Sequence, residues 1–551
     1  MLRQVTSLTL LVVGTFFLLG CAANRAPLTS PAQGGPTWTE FRSAHFTVFT
    51  DLDVEEARIR LAHFEQLYEA LEHLLQPPAD ATPTPLRVVV FDRDKDFAAL
   101  VGPDHNVGAY HKRGSVLELD PSSTLVMHGA DLDDETQEVF LHELTHQFLA
   151  LRFGPLPTWL NEGLAQYYET LRIEGNQISL GAPGAHDFSE QPHIWTSWRG
   201  NLIQTQIPAT WAPTVWDLVH SDRGSFYGLS SRPEKPEELQ KRSVTHYTAA
   251  WKFVHLLSNG PDATYRSRFD AMLGALQAGT RPREAFLEQY GGDLPRLQAD
   301  YQRYLTQARL SRRHATLPPP KPRAPAAQRV LEEAEVHLVW AHAVYSDSKE
   351  AMQLYRQRLD AALAASPDHP ETALRRGIFF FHQDQFDEAE REIARGLKAR
   401  PEHPDLIMAT LLIQDGRPTD AKTGGPSAES SELVARLART ATSGVQLALA
   451  GFFMGRQGQV EEGLRMVERA VAKAPLCYSC KRYQAALLAS LGRYDEALAA
   501  MERALGISPE SAGMKDLMQQ RAQILDQKER AATKPAAPAA APDAQAPTST
   551  P

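Results

Sequence analysis

In the C-terminal third of the chain, Pro367, Pro401, Pro475 and Pro509 stand 34, 74 and 34 residues apart. A repeat of that length narrows the possible folds sharply. A unit so short cannot bury a core by itself and has to stack on copies of itself. Two units close on similar strings, "FDEAEREIARGLKARP" and "YDEALAAMERALGISP". Counted back from each proline, small residues fall at matched positions: Gly377, Ala389 and Gly396, then Gly451, Gly463 and Ala470, then Ala485, Ala497 and Ala504. Small side chains at fixed places mark where two helices approach closely. The long interval holds one degenerate unit, interrupted by "DAKTGGPSAESS", and a fifth, weaker unit precedes Pro367.

In period and in small-residue positions, residues 328–527 resemble tetratricopeptide repeats (TPR). The resemblance implies an all-α solenoid with a concave groove for a protein or peptide partner. At 551 residues the chain is too long for one core. Upstream, residues 37–312 read as an α+β domain, with strands at "HFTVFT" (His45–Thr50), "LRVVVF" (Leu86–Phe91) and "SVLELD" (Ser115–Asp120). Between them, Val54–Leu75 carries helical periodicity through Leu61, Phe64, Leu67 and Leu71. The Pro-rich stretch 313–327 reads as an irregular linker, and the Pro/Ala-rich tail 528–551 as disordered.

The first residues, "MLRQVTSLTLLVVGTFFLLGC", join a cation at Arg3 to an apolar run ending at Cys21. That run suits a signal peptide and falls short of the roughly 20 residues a membrane-spanning helix needs. The end of this segment (residues 1–21) resembles the bacterial lipobox. The resemblance implies cleavage before Cys21, lipidation of its thiol, and an anchor in the envelope, in the outer membrane facing the periplasm. Residues 22–36 then read as a flexible tether. A net charge of −10 argues against a nucleic-acid partner.

The chemistry concentrates in "LHELTHQFLALRFGPLPTWLNEGLAQYYE", Leu141–Glu169. A helix over about 133–152 is expected, with Phe140, Leu144, Phe148 and Leu151 as its buried stripe and Gly154 beyond its end. His142 and His146, four apart, leave the same face and can converge on one ion. Glu143, about 100° further round the helix, can reach a water at that ion without ligating it. A second helix is expected from Trp159, capped by Thr158, with Glu162 on its first turn. Glu162 completes a His-His-Glu donor set, and Glu169, two turns on, is the fallback third ligand.

"HELTH" followed by "WLNEGLA" resembles the gluzincin metallopeptidases, above all the bacterial peptidase-MA-like proteins. By that resemblance His142, His146 and Glu162 bind Zn2+ and Glu143 is the general base. A further donor to the tetrahedral oxyanion is expected in "VTHYTAAWKFVHLL". Tyr247 is the first choice and His246 the second, although Tyr247, Trp251, Val254 and Leu257 equally form a core stripe. In "VGAYHKRGSVLELD" an edge strand that pairs with substrate is expected, or a purely structural strand. Asn161 and Gln166 are candidates to support the histidines. Cys477 and Cys480 fit packing or an incidental disulfide better than redox chemistry.

The sequence therefore predicts a zincin-like zinc peptidase domain followed by a TPR solenoid, lipid-anchored in the bacterial envelope, with a peptide or protein substrate. The rival expectation is an inactive zincin-TPR lipoprotein acting as an assembly scaffold.

Overall fold

The computed structural model describes residues 28–533, except 78–84, 102–108, 113–123, 130–133, 155, 182–193, 197–201, 205–211, 222, 227–235, 308–309, 320–324, 345–347, 418–427 and 508–512. The signal segment with Cys21, the strand expected at Ser115–Asp120 and residues 534–551 lie outside the described residues.

The N-terminal half is organised by one sheet. Strands β1 (Thr39–Arg42), β2 (Phe46–Thr50), β3 (Leu86–Phe91), β4 (Ala109–Lys112), β5 (Thr124–His128) and a late strand, β11 (Ala327–Val330), lie in the order β11-β1-β2-β3-β5-β4. The pairs β2/β3 and β3/β5 are parallel, and the outer pairs antiparallel. Strand β3 is buried on both faces, which explains its unbroken apolar run. Side chains alternate across a strand. Val88 and Val90 therefore join the core formed with α1 (Val54–Leu75), α3 (Asp134–Phe153) and α4 (Thr158–Glu169). Val89, Phe91 and Val126 face the other way and pack with Trp340, Val336 and Ala343 of α11 (Glu333–Ala343), the first helix after β11.

Helix α2 (Asp94–Val101) follows β3. A second sheet, in the order β10-β7-β6, joins β6 (Arg172–Glu174), β7 (Gln177–Leu180) and β10 (Arg313–Thr316), and β8 (Ile194–Thr196) pairs with β9 (Leu202–Gln204). Helices α5 (Val215–His220), α6 (Arg223–Phe226), α7 (Pro236–Asn259), α8 (Ala263–Gln277), α9 (Pro282–Tyr290) and α10 (Leu294–Leu305) complete this half.

The structure departs from the sequence reading in two places. The stretch 313–327, expected to break regular structure, carries all of β10 and the start of β11. The prolines sit between the two strands, where no ladder hydrogen bond is required of them. The segment read as a flexible tether is also ordered from residue 28, with Leu28 and Ser30 buried and a single 3₁₀ turn at Pro31–Gln33. Leu28 packs into the cluster that holds Trp38 and Trp340.

From α11 onward the chain is a helical TPR solenoid. Its hairpins are α11 with α12 (Lys349–Ala365), α13 (Pro370–Phe381) with α14 (Phe386–Ala399), α15 (Pro404–Gly416) with α16 (Ala428–Thr440), α17 (Gly444–Arg456) with α18 (Val460–Lys473), and α19 (Tyr478–Ser490) with α20 (Tyr494–Ile507). A last helix, α21 (Gly513–Thr533), extends into the region read as disordered tail. The small positions act as expected. A Cβ on Gly451 would stand 2.5 Å from the Gly463 carbonyl oxygen on the facing helix. No helix among the described residues is long and apolar enough to cross a membrane.

Candidate metal centre

Helix α3 ends where glycine allows it. Gly154 takes φ +69° and its N–H bonds the Ala150 carbonyl oxygen at 3.0 Å. The next helix begins one residue earlier than predicted. Pro157 is its N-cap and Thr158 its first residue, with no side-chain cap bond, since proline ahead of the first turn already fixes the entry. Helix α4 then runs against α3 and crosses α7 at Gly163. A Cβ on Gly163 would lie 2.7 Å from Val254 Cγ2 and 2.8 Å from the Ala250 carbonyl oxygen. The glycine of "NEGLA" is thus required by helix contact, and that contact fixes its neighbour Glu162.

The structure brings His142, His146 and Glu162 together. One ligand atom from each lies within 4.8 Å of the others, and all three residues are buried. Glu162 Oε2 is 3.4 Å from His142 Nε2 and 3.8 Å from His146 Nε2. Two donors held tetrahedrally by one zinc ion, each at about 2.1 Å, stand about 3.4 Å apart, so these spacings suit that ion. Glu143 is buried beside them, and its charge helps to hold the proton on His142.

Glu169 takes a different place from the fallback ligand role. Its Oε2 meets His142 Nδ1 at 2.5 Å, on the ring nitrogen turned away from the cluster. This contact holds the proton on Nδ1 and leaves Nε2 as the acceptor that a metal needs. Among the described residues no hydrogen bond joins Asn161 or Gln166, expected to support the histidines, to either ring, and Gln166 Oε1 is buried there without a hydrogen-bond partner. Glu162 and Glu169 are seven positions apart and so face the same way on α4. That spacing was the available signal for Glu169.

Burial pushes the His142 pKa down, but its contacts with Glu162 and Glu169 and the nearby Glu143 raise it to about 10. Burial raises the Glu169 carboxyl, an effect opposed by His142. Three carboxylates (Glu143, Glu162 and Glu169) and two imidazoles are enclosed together, each side chain no more than 8% exposed. Buried carboxylates in such number are costly without cations, and a divalent ion would offset two of the three negative charges with the imidazoles neutral. The donor set fits zinc.

Tyr247 and His246 are not part of the three-residue donor cluster. Tyr247 lies in the core, its ring edge-on to Phe226 at 5.4 Å, one turn before Ala250 on α7. His246 is half-buried, 5.6 Å from the same phenylalanine ring. Trp251, Val254 and Leu257 are fully buried, so the core-stripe reading of this helix holds. Strand β4 forms the outer edge of the six-stranded sheet, antiparallel to β5. Far from this region, Cys477 and Cys480 form a buried disulfide at the start of α19, where the Cys480 N–H bonds Cys477 Sγ at 3.1 Å.

Comparison with known proteins bears on the solenoid. Tetratricopeptide-repeat models match residues 346–411 and 455–512. Among solved structures, a thermophilic TPR protein of Thermus thermophilus is 18% identical over 35% of this chain and 98% of its own, with a TM-score of 0.29. PilW, a type IV pilus biogenesis factor, is 14% identical over 36% of this chain and 87% of its own, with a TM-score of 0.28. Yeast Tom70 is 11% identical over 59% of this chain and 71% of its own, with a TM-score of 0.27. No curated protein matches the sequence. The C-terminal region carries TPR repeats, and repeats of this kind mediate protein–protein contact.

Proposed function

We propose that this chain is a zinc-dependent peptidase of the gluzincin type, lipid-anchored through Cys21 in the bacterial envelope, whose TPR solenoid engages a protein partner or substrate. One observation carries the catalytic part: His142, His146 and Glu162 converge within 4.8 Å in a buried cluster beside two further carboxylates.

A zinc ion held by these three residues supplies an acidified water and a polarised scissile carbonyl. The chain's own groups do the remaining work. Glu169 fixes the His142 ring through Nδ1 and keeps Nε2 facing the donor set. Glu143 is the base that receives the water's proton on a carboxylate oxygen and returns it to the departing amine. Tyr247 remains the proposed oxyanion donor, with His246 second, on the ground that α7 crosses α4 at Gly163, beside Glu162. Strand β4, with a free outer edge among the described strands, is suited to pairing with an extended peptide.

The test is hydrolysis of a peptide library by purified protein, with zinc content measured in parallel. Glu143→Gln should abolish turnover and leave zinc stoichiometry unchanged. Equal activity in the variant removes Glu143 from the mechanism. A wild type that holds zinc but cleaves nothing favours the scaffold reading. Loss of envelope fractionation in Cys21→Ala tests the anchor.

A further inference from the structure

The sheet's other face, turned away from the donor cluster, meets the first solenoid hairpin across a cleft of about 330 Å³. This lies within the size range of small-molecule sites, roughly 300–1,000 Å³. Strands β1, β2, β3 and β11 form one wall, and α11, α12 and the start of α13 the other. Phe49, Val89, Leu338 and Val339 supply its apolar surface.

The cleft's charges do not balance. Four guanidinium groups face three carboxylates. Arg42 and Arg329 both pair with Glu40, and Arg329 also holds Glu335 at 2.7 Å. Arg375 holds Glu371 at 2.6 Å. Arg87 is left over. Its cross-strand neighbours on β2 and β5 are Thr47 and Thr124, which are uncharged. Its contacts are the His342 ring, 3.3 Å from Nη1, and the face of Phe49 at 5.9 Å. No carboxylate among the described residues forms an ion pair with it. His342 is itself held by Thr124 Oγ1 at 2.6 Å, which keeps the imidazole beside the guanidinium. With the imidazoles neutral, the cleft carries one positive charge in excess, on a preorganised planar donor beside an apolar wall.

We infer that this cleft binds the carboxylate of a ligand with an apolar body, anchored on Arg87. A guanidinium fork matches a carboxylate in two parallel hydrogen bonds. The single excess charge suits a monoanion, whereas the three acidic side chains disfavour phosphate. Two sources share this chemistry: the C-terminal carboxylate of a peptide ending in an apolar residue, and a free apolar carboxylate. The site is independent of the proposed peptidase activity.

The test uses the full-length chain and titration calorimetry. The probes are a hexapeptide ending in leucine, the same peptide amidated, octanoate and inorganic phosphate. Either the free-acid peptide or octanoate should bind, and which one does so identifies the source. Amidation of the peptide, or Arg87→Gln, should weaken binding about tenfold or more, because each removes a charge-assisted hydrogen bond. Arg87→Lys, which keeps the charge and loses the fork, should fall between. In wild type, bound carboxylate should slow hydrogen exchange in β3 and α11, a readout that needs no variant to fold. Binding of neither carboxylate, equal binding of the amidated peptide, undiminished binding by a folded Arg87→Gln, or preference for phosphate overturns the inference.

Discussion

The donor cluster and the solenoid solve the same packing problem for opposite ends. In both, two helices close on a glycine: α4 meets α7 at Gly163, and α17 meets α18 at Gly451 and Gly463. In the repeats the close approach at Gly451 brings together small and apolar groups, Gly463, Val467 and Met466. The α4 so positioned against α7 encloses, together with α3, five titratable side chains, His142, Glu143, His146, Glu162 and Glu169. An apolar contact of this kind is stabilising as it stands, whereas a buried charged cluster costs free energy unless an ion or a network balances it. Residues that raise the cost of folding call for another reason, and the proposed metal site supplies one.

The largest effect that would break this contrast is at Glu143. Glu143→Gln keeps the shape of the side chain and removes the proposed base, so hydrolysis should fall by roughly 10²- to 10⁴-fold. Zinc content by elemental analysis should not change. No solenoid residue should show this separation of turnover from metal content. A substitution in the repeats that did so would erase the functional difference between the two regions.

Legibility in the sequence follows the range of the interaction. The repeats are readable because a period of 34 residues ties each small position to the next local contact, and Gly377 and Gly451 do meet their facing helices. His142 and His146 are readable because a helix turn alone places them together. Glu162 depends on a second helix whose register a short loop and Pro157 restrict. Glu169 reads from its spacing as a spare ligand, yet it serves the outer nitrogen of His142. Which side of an imidazole a carboxylate reaches depends on the rotation of one helix against another, and spacing does not encode that rotation. The strands β10 and β11 escape a sequence reading for a similar reason. They pair with β7 and β1, more than 100 residues upstream, and their short exposed edges carry no alternating apolar signal.

Glu169 sharpens the comparison next. Glu169→Gln retains a side chain that can contact His142 Nδ1 and loses the negative charge, so zinc affinity should drop roughly 10- to 100-fold. Competition with a fluorescent chelator would measure it. An unchanged affinity would mean that the ring orientation is set by packing alone. Hydrogen exchange in the repeat helices should be indifferent to this change.

Smaller effects are expected at the paired glycines. An added methyl overpacks the contact by about 1–3 kcal/mol, against a gain of roughly 1 kcal/mol in helix propensity. Gly163→Ala should therefore destabilise modestly and also lower zinc affinity, because Glu162 is displaced with α4. Gly451→Ala should destabilise to a similar degree and leave zinc affinity untouched. Melting curves with zinc titrations on both variants would show the difference. A Gly163→Ala protein with wild-type affinity would detach the helix crossing from the donor geometry.

The smallest effect compares the two regions through pH. Among the described residues, each buries one lysine whose hydrogen-bond acceptor is a backbone carbonyl alone: Lys252 Nζ donates to Gln307 O at 2.7 Å, and Lys481 donates to Pro475 O. Burial pushes Lys252 down to about 7 and Lys481 down to about 8. In an unfolded chain both titrate near 10.4. Between the folded and the unfolded value, the unfolded chain binds the proton that the folded chain has given up, so stability rises with pH. Below the folded value both states are protonated and the burial penalty is present in full. The slope for a single such group is at most about 1.4 kcal/mol per pH unit. Segment-resolved hydrogen exchange should therefore show α7 gaining protection from about pH 7 and α19 only from about pH 8. Lys252→Met should flatten the first response and spare the second. If both regions respond together, the sheet-bearing half and the solenoid unfold as one unit through the contacts of Trp38, Phe91 and Trp340, and the separation drawn between them is one of chemistry alone.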